Sequence, residues 1–481
     1  MGYIVFEMIE PQPESGIKKT LVFLKMTLRK KGFISFAALL FVVFFLFRTI
    51  LKEKYWKIDF VIKNDGAGYY AYLPAIFVEK DLSLKFLDDP SYVNVWKYAK
   101  QRTDDGKYYI KYSCAVAILH TPFFFTAYTL APHFGQTQDG FSDIFEIAIL
   151  IGCVVYTSLG MFFLRKTLIH YFSDFVTGLT LLTIGLGTNL FLYATGEPGM
   201  AHAYSFCMIS IFLWQTIVWY RDPGIKNSIL IGLLAGIIFL LRPINGLALL
   251  IFPLYGVLNL SQLKERVNLF YTQKWKMLLI LFFGLIVLVP QLLYWKYYLG
   301  SWFFDSYPGE HFFFSHPHIT DGLLSYRNGW LVYTPVMCFA LVGLLLLKKR
   351  AKEFTYILPI YFVLNLVIVL SWWCWWYSGF GNRALIDSYP LMALGMASAF
   401  SFLTNRSGIL SVMLCLLLYG AIKVNWTQQW QYKNGVMHWA AMSKEAYWII
   451  FMKKQMPPER DSLLKEPDIE NARQYGREKT P

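Results

Sequence analysis

Charge is scarce in this chain. Asp, Glu, Lys and Arg make up 16% of its residues, against about 25% in soluble domains. That is too little to solvate the surface of a water-soluble protein, and 56% of the residues are hydrophobic. Cysteine is sparse as well. The six cysteines (Cys114, Cys153, Cys207, Cys338, Cys374 and Cys415) are dispersed in apolar segments, with no CxxC pair. This excludes a zinc ribbon and a disulfide framework, and reads as small buried hydrophobes. No RNA- or DNA-binding motif accompanies the net charge of +14, so no nucleic acid partner is expected. Basic residues sit beside apolar segments, as in Lys348-Lys349-Arg350, which is how cytoplasmic loops anchor a membrane protein.

Long apolar runs, by contrast, recur throughout. Roughly 20 such residues cross a hydrocarbon core of about 30 Å. Candidates lie at 33–51, 113–132, 143–164, 175–195, 203–220, 227–241, 244–260, 277–299, 330–347, 355–377, 385–404 and 409–423. They predict an all-α polytopic membrane protein with about 11–13 transmembrane helices and an outer loop bearing interfacial helices. The 16 Trp and 32 Tyr are expected largely in interfacial belts. Segment 33–51 follows Lys25, Arg29, Lys30 and Lys31 and lacks a small-residue cleavage site. It reads as an uncleaved signal anchor with the preceding residues inside.

Three regions follow. Residues 1–32 form a cytoplasmic basic lead-in. Residues 33–423 form the transmembrane domain, with 52–112 as its first outer loop. Residues 424–481 form a polar tail with an interfacial stretch, Met437 to Met452, and a charged, mobile end from Pro457. Within the outer loop, Gly68–Lys80 carries a helical apolar stripe suited to an interface. Asp88-Asp89-Pro90 and Thr103-Asp104-Asp105-Gly106-Lys107 read as turns.

The positive-inside rule places Arg165-Lys166, Arg221, Lys264, Arg266, Lys348-Lys349-Arg350 and Arg406 in the cytoplasm. The Asp65 loop, 195–202, the turn at Arg242, 300–329 and 377–384 then fall outside. One count conflicts. Two apolar segments separate residue 112 from Arg165, yet an odd number of crossings is required. Either one segment does not span, or Arg165-Lys166 is outside, or a further break exists.

The outward loops hold the residues that could carry chemistry. Lys63-Asn64-Asp65-Gly66-Ala67-Gly68-Tyr69-Tyr70 sets an acid in a glycine turn before aromatics. Asp65 is the candidate general base, although an Asp before glycine is also a common solvated turn. Glu197 and His202 flank a Gly-Pro helix break. Arg242 precedes Pro243 between two apolar segments, where an arginine needs a partner or a polar cavity. Loop 300–329 contains His311, His316 and His318, without the spacing of a metal motif, so no metal or other cofactor is assigned. Arg327 enters the next segment in Arg327-Asn328-Gly329-Trp330 and suits a lipid phosphate. In Trp376-Tyr377-Ser378-Gly379-Phe380-Gly381-Asn382-Arg383, two glycines present Asn382 and Arg383 beside a tryptophan belt.

Taken in order, these clusters resemble the GT-C superfamily of membrane glycosyltransferases, in the broad group with protein O-mannosyltransferases and lipid A aminoarabinose transferases. The likeness covers about residues 33–400. It implies a multi-helix enzyme that uses a polyprenyl-phosphate sugar as donor, with the acid of the first outer loop as the catalytic residue. The expected reaction is inverting transfer of the sugar to an acceptor hydroxyl (of a glycan, lipid or protein) at the outer face of the plasma membrane. Asp65 would act as base. Arg327, Arg383 and Arg242 would bind the phosphate, and Tyr69, Tyr70 or Trp376 would stack on the sugar, with Glu197, His202 and Asn382 also at the site. The alternative is a transporter or flippase of a lipid-linked or anionic substrate. Against it, no half-to-half similarity is found, and the candidate residues gather at one face.

Overall fold

The computed structural model describes residues 32–58, 60–89 and 100–478. The lead-in before Gly32 and the Pro90 turn position lie outside the described residues. The described chain is helical apart from a two-stranded hairpin, β1 (Lys100–Arg102) and β2 (Tyr108–Ile110), closed by the Thr103–Lys107 turn.

Contacts at the helix ends fix the path of the chain. Helix α1 (Phe33–Glu53) runs between two faces. The short helices α2 (Asn64–Tyr70) and α3 (Tyr72–Phe77) follow it, and then α4 (Ala115–Leu130) and α5 (Asp143–Tyr171). Helix α5 runs back along α1. Lys57, just past α1, pairs with Asp143 at 2.8 Å, while Arg165 donates to the Gly32 carbonyl at 2.6 Å. Helix α6 (Asp174–Leu186) starts where α1 starts, its Asp174 accepting from the Ile34 and Ser35 amides at 2.8 and 2.9 Å. After a break at 187–189, α7 (Leu190–Thr195) completes that pass. The break leaves backbone groups open, and side chains take them up. Gln429 donates to the Thr188 carbonyl and Trp426 to the Leu186 carbonyl at 2.7 Å.

Helix α8 (Ala201–Arg221) returns, its Arg221 meeting His170 at 2.6 Å, and α9 (Ile225–Leu241) climbs again. A tight 3-10 stretch, Pro243–Leu250, and α10 (Ile251–Leu254) descend to Tyr255, whose hydroxyl meets that of Tyr171 at 2.6 Å. Helix α11 (Leu260–Thr272) lies on that basic face, where Arg266 covers the ring of Tyr220. Helix α12 (Lys274–Tyr294) rises and ends in a π-turn at Trp295–Leu299. On the far face lies α13 (Ile319–Leu324). Helices α14 (Trp330–Tyr333) and α15 (Met337–Leu344) descend, α16 (Ile357–Leu370) rises, α17 (Tyr389–Thr404) descends and α18 (Gly408–Lys433) rises. The last helices, α19 (Lys444–Ile450) and α20 (Ile469–Tyr475), stay on the far face.

The described chain therefore makes eleven passes: α1, α5, α6–α7, α8, α9, the Pro243–α10 stretch, α12, α14–α15, α16, α17 and α18. Among the described residues, seven helices have the length and apolarity to cross a bilayer, α4 among them; six of these are passes, and the other five passes are shorter or broken. This is an all-α, multi-pass membrane protein.

The conflict over residues 113–164 is settled by α4. It is long and apolar, yet both its ends belong to one face. Its start is held by Gln291, which accepts from the Cys114 amide at 2.8 Å, and past its end Gly140 accepts from the Tyr70 hydroxyl at 2.7 Å. Helix α4 packs on α5 and beneath α2 and α3 without crossing. One side of it meets protein, with Phe124 against Tyr70 and Phe145, while Ile118, Phe125 and Leu130 are exposed on the other. The same contacts change the setting of Gly68–Lys80. Residues 66–75 are buried by α4 and the bundle instead of lying on a lipid interface.

Close helix approach depends on small residues, as is common where lipid removes the hydrophobic drive to pack. Gly232 and Gly236 of α9 lie against the α12 backbone, and Gly343 meets Gly395 where α15 crosses α17. Cys114, Cys153 and Cys207 are buried, whereas Cys338 is exposed and Cys374 and Cys415 are half-buried, all as free thiols. The charged end from Pro457 is packed. Arg460 is buried and donates to the Gly435 carbonyl, and α20 docks on loop 300–329 through Arg473, which donates to the Pro308 carbonyl at 2.6 Å.

Candidate active site

The site begins with two loops in backbone contact. Gly66, next to Asp65, faces Gly199 of the loop between α7 and α8. A Cβ on Gly199 would stand 2.6 Å from the Gly66 Cα, so neither position has room for a side chain. Glycine at both brings Asp65 beside Met200 and the start of α8. On the opposite side stands the loop between α16 and α17. There Tyr377, Ser378, Gly381 and Asn382 all have positive φ, a tight reversal that asks about 1–2 kcal/mol of each non-glycine residue. Asn328 fastens the reversal by donating to the Trp376 carbonyl at 3.0 Å and accepting from the Gly381 amide at 3.1 Å. Tyr193 adds a further tie, its hydroxyl accepting from the Phe380 amide at 3.0 Å.

The reversal delivers Arg383 to Asp65. The guanidinium donates to Asp65 Oδ2 at 2.6 Å, and the Tyr112 hydroxyl donates to Oδ1 at 2.6 Å. Burial opposes ionisation of Asp65. The charge of Arg383, the hydrogen bonds from Tyr112 and Arg383, and the nearby Lys111 outweigh it and hold the carboxyl below its usual range. Burial and the neighbouring Asp65 charge push the Tyr112 hydroxyl well above the usual phenol value, so Tyr112 is a fixed donor.

A second charged centre adjoins the first. Asp387 lies one turn beyond Arg383 on the 3-10 stretch Arg383–Ser388. It accepts from Arg242 at 2.6 Å and meets His202 Nδ1 at 3.0 Å. Its side chain is only 2% exposed. Burial would raise its pKa, but Arg242 and His202 reverse that and hold it low. The Tyr69 hydroxyl lies within electrostatic reach of Arg242, Asp65, Arg383 and Asp387 together, and its ring packs on Tyr112 with centroids 4.5 Å apart. Tyr69 thus stands within the electrostatic reach of both ion pairs. From loop 300–329, Tyr307 approaches the same groups, and Lys111 pairs with Glu310 over the Tyr307 ring.

The other predicted residues are distributed differently. Tyr70 is buried and donates to Gly140, away from Asp65. Glu197 pairs with Lys433 of α18 at 3.4 Å, behind the Gly66–Gly199 contact. Asn382 is buried and donates to the Trp375 carbonyl, so it shapes the reversal. Trp376 is 2% exposed and is covered by the tail residues Ala440 and Ala472, which leaves no open ring face for a sugar. Arg327 lies over Trp375 and Trp376 and pairs with Glu478, in a cleft that contains neither Asp65 nor Arg383. Among the described residues, no three His, Cys, Asp or Glu side chains gather as a metal site. His316 and His318 instead bond the Tyr475 and Gly476 carbonyls of the tail.

Asp387, Tyr112, Lys111 and Tyr307 are the site residues that the sequence did not announce. Only the closeness of Arg383 and Asp387 in the chain carries a signal, since it keeps both on one short helical stretch.

Comparison with known proteins adds little beyond the shape. No family model matches the chain, and no curated protein does. Among solved structures the chain is similar to the oligosaccharyltransferase of Archaeoglobus fulgidus in its apo form, at 11% identity and a TM-score of 0.48, covering 90% of this chain and 59% of that one. It is likewise similar to the archaeal oligosaccharyltransferase AglB of Archaeoglobus fulgidus in complex with an inhibitory peptide and a dolichol-phosphate, at 12% identity and a TM-score of 0.48, covering 89% of this chain and 59% of that one. The chain spans about three-fifths of the length of these structures.

Proposed function

We propose that this protein is a GT-C-type glycosyltransferase that moves a sugar from a lipid-linked phosphate donor to an acceptor hydroxyl at the outer face of the membrane. One observation carries the reading. A carboxylate, Asp65, is held between a phenol and a guanidinium at one end of an apolar helical bundle, and one turn past that guanidinium Asp387 holds a second arginine, Arg242. A polyprenyl chain fits among apolar helices, its phosphate at the level of Arg383 and Arg242.

In this mechanism the acceptor oxygen attacks the anomeric carbon from the face opposite the phosphate. The bond to the phosphate oxygen breaks, and both electrons leave with the phosphate. The acceptor proton passes to Asp65. The leaving group departs as an anion, so it needs positive charge where its own charge grows. A carboxyl held low by Arg383 is a weak base. When the donor phosphate draws Arg383 toward itself, that restraint relaxes and Asp65 gains basicity where the acceptor hydroxyl arrives. Tyr112 keeps the carboxylate oriented throughout.

Gathering at one face, not at mid-depth, supports an enzyme over a transporter, whose site is expected near the bilayer midplane. The test is Asp65→Asn, which keeps the shape and removes the base. We expect sugar transfer in detergent or proteoliposomes to fall by about 10²–10⁴-fold with donor binding retained. Near-normal transfer by the variant would overturn the mechanism.

A further inference from the structure

On the same face as Asp65 lies a second concavity of about 760 Å³. Arg327, Trp375 and His318 form its floor, and Lys444, Lys465 and Glu478 stand around it. Its lining is that of a site for an acidic ligand. The Arg327 guanidinium rests 5.3 Å from the ring centre of Trp376 and 6.0 Å from that of Trp375, with its fork turned to the cleft. Trp375, stacked on His318 with centroids 5.9 Å apart, offers a wall beside it. One arm of the guanidinium donates to the carboxylate of Glu478, delivered by the tail just after α20, and the other to the Lys465 carbonyl at 3.3 Å. The tail is clamped for this purpose from behind, by His316 and His318 on the Tyr475 and Gly476 carbonyls.

We propose that this cleft is the acceptor subsite of the glycosyl-transfer reaction, and that it takes a carboxylate-bearing oligosaccharide whose uronate displaces Glu478 from Arg327. The proposal rests on the transferase reading given above and names the acceptor class. Three features favour that class. A guanidinium fork is matched to a carboxylate. A polar cavity of this size holds a short oligosaccharide with a few directed contacts. With Glu478 aside, Arg327, Lys444, Lys465 and Arg477 face only Asp321 and Glu445 among the charged lining, so the vacated cleft is cationic. The cleft also shares a wall with the reaction centre. Trp375 lines it, Asn382 donates to the Trp375 carbonyl, and Arg383, the next residue, holds Asp65. A chain bound on Arg327 has one loop to round to reach the carboxylate.

The experiment uses the full chain in detergent and follows tryptophan fluorescence during titration with trigalacturonic acid, with neutral maltotriose and with anionic phospholipid micelles. We expect saturable binding of trigalacturonate alone. Arg327→Gln weakens it by about tenfold or more, Arg327→Lys weakens it less, and Glu478→Gln tightens it by about threefold. Asp65→Asn leaves this affinity unchanged. Binding that persists in an Asp65→Asn variant still active in transfer would sink the mechanism and leave the subsite standing. No saturable binding by the wild type or Glu478→Gln, equal binding of maltotriose or phospholipid, or indifference to both Arg327 substitutions would overturn the subsite.

Discussion

Asp387 has both carboxylate oxygens engaged, one by Arg242 and one by His202, in a nearly waterless setting. Removing its charge leaves the half-buried Arg242 guanidinium unpaired, at a cost below the about 3–5 kcal/mol of a fully buried pair. We expect Asp387→Asn to lower the thermal unfolding temperature clearly and, where the protein survives, to raise the donor KM more than it lowers kcat, because Arg242 loses its anchor. Unchanged stability would mean that the pair is looser than the 2.6 Å contact indicates. The pH behaviour of Asp65 follows from its depressed pKa. A carboxyl that titrates lower in the folded protein adds stability above its unfolded value of about 4. That contribution disappears as pH falls through the folded value. The stability difference between wild type and Asp65→Asn should therefore hold steady from pH 7 to 5 and shrink below about pH 4. A difference already shrinking at pH 6 would contradict the assignment.

At the scale of elements, the Gly66–Gly199 contact is the joint of the site. Gly199→Ala places a methyl carbon 2.6 Å from the Gly66 backbone, and backbone cannot rotate away as a side chain can. The two loops must part, taking Asp65 off Arg383. Transfer should fall by roughly 10²-fold, as a shift of about 1 Å can cause, with the helical circular dichroism unchanged. This joint also shows what a sequence can reveal. The glycines around Asp65 and Arg383 break apolar segments, so both residues stand out by contrast with their neighbours. Asp387 and Tyr112 do not, because one sits in a short helical turn and the other follows an ordinary strand, and their partners are 145 and 47 residues away. The long crossings, such as α1, α5 and α18, are legible because one uninterrupted apolar window covers each. Helix α4 misleads for the same reason. An apolar window reports that a segment avoids water, not that it spans, and α4, packed on α5 along one side only, meets that description without crossing.

For the whole molecule, the path of α4 has a direct test. Single cysteines at Lys107 and Gln136, on either side of it, should react with an impermeant thiol reagent from the same side of the membrane, while one at Lys348 reacts only from the other. Labelling of the first two from opposite sides would make α4 a twelfth pass and reverse every later one. The odd number of passes also sets an order on how the protein is made. The tail that completes the Arg327 cleft follows the last crossing, α18, and lies on the face opposite Arg165. It can reach Arg327 only after about forty-five residues, 434–478, have themselves been carried through the bilayer. During synthesis the Asp65–Arg383 pair can close earlier, since Arg383 precedes α18. The cleft is assembled last, and a chain stalled in its final translocation would have an intact reaction centre beside an open, cationic groove.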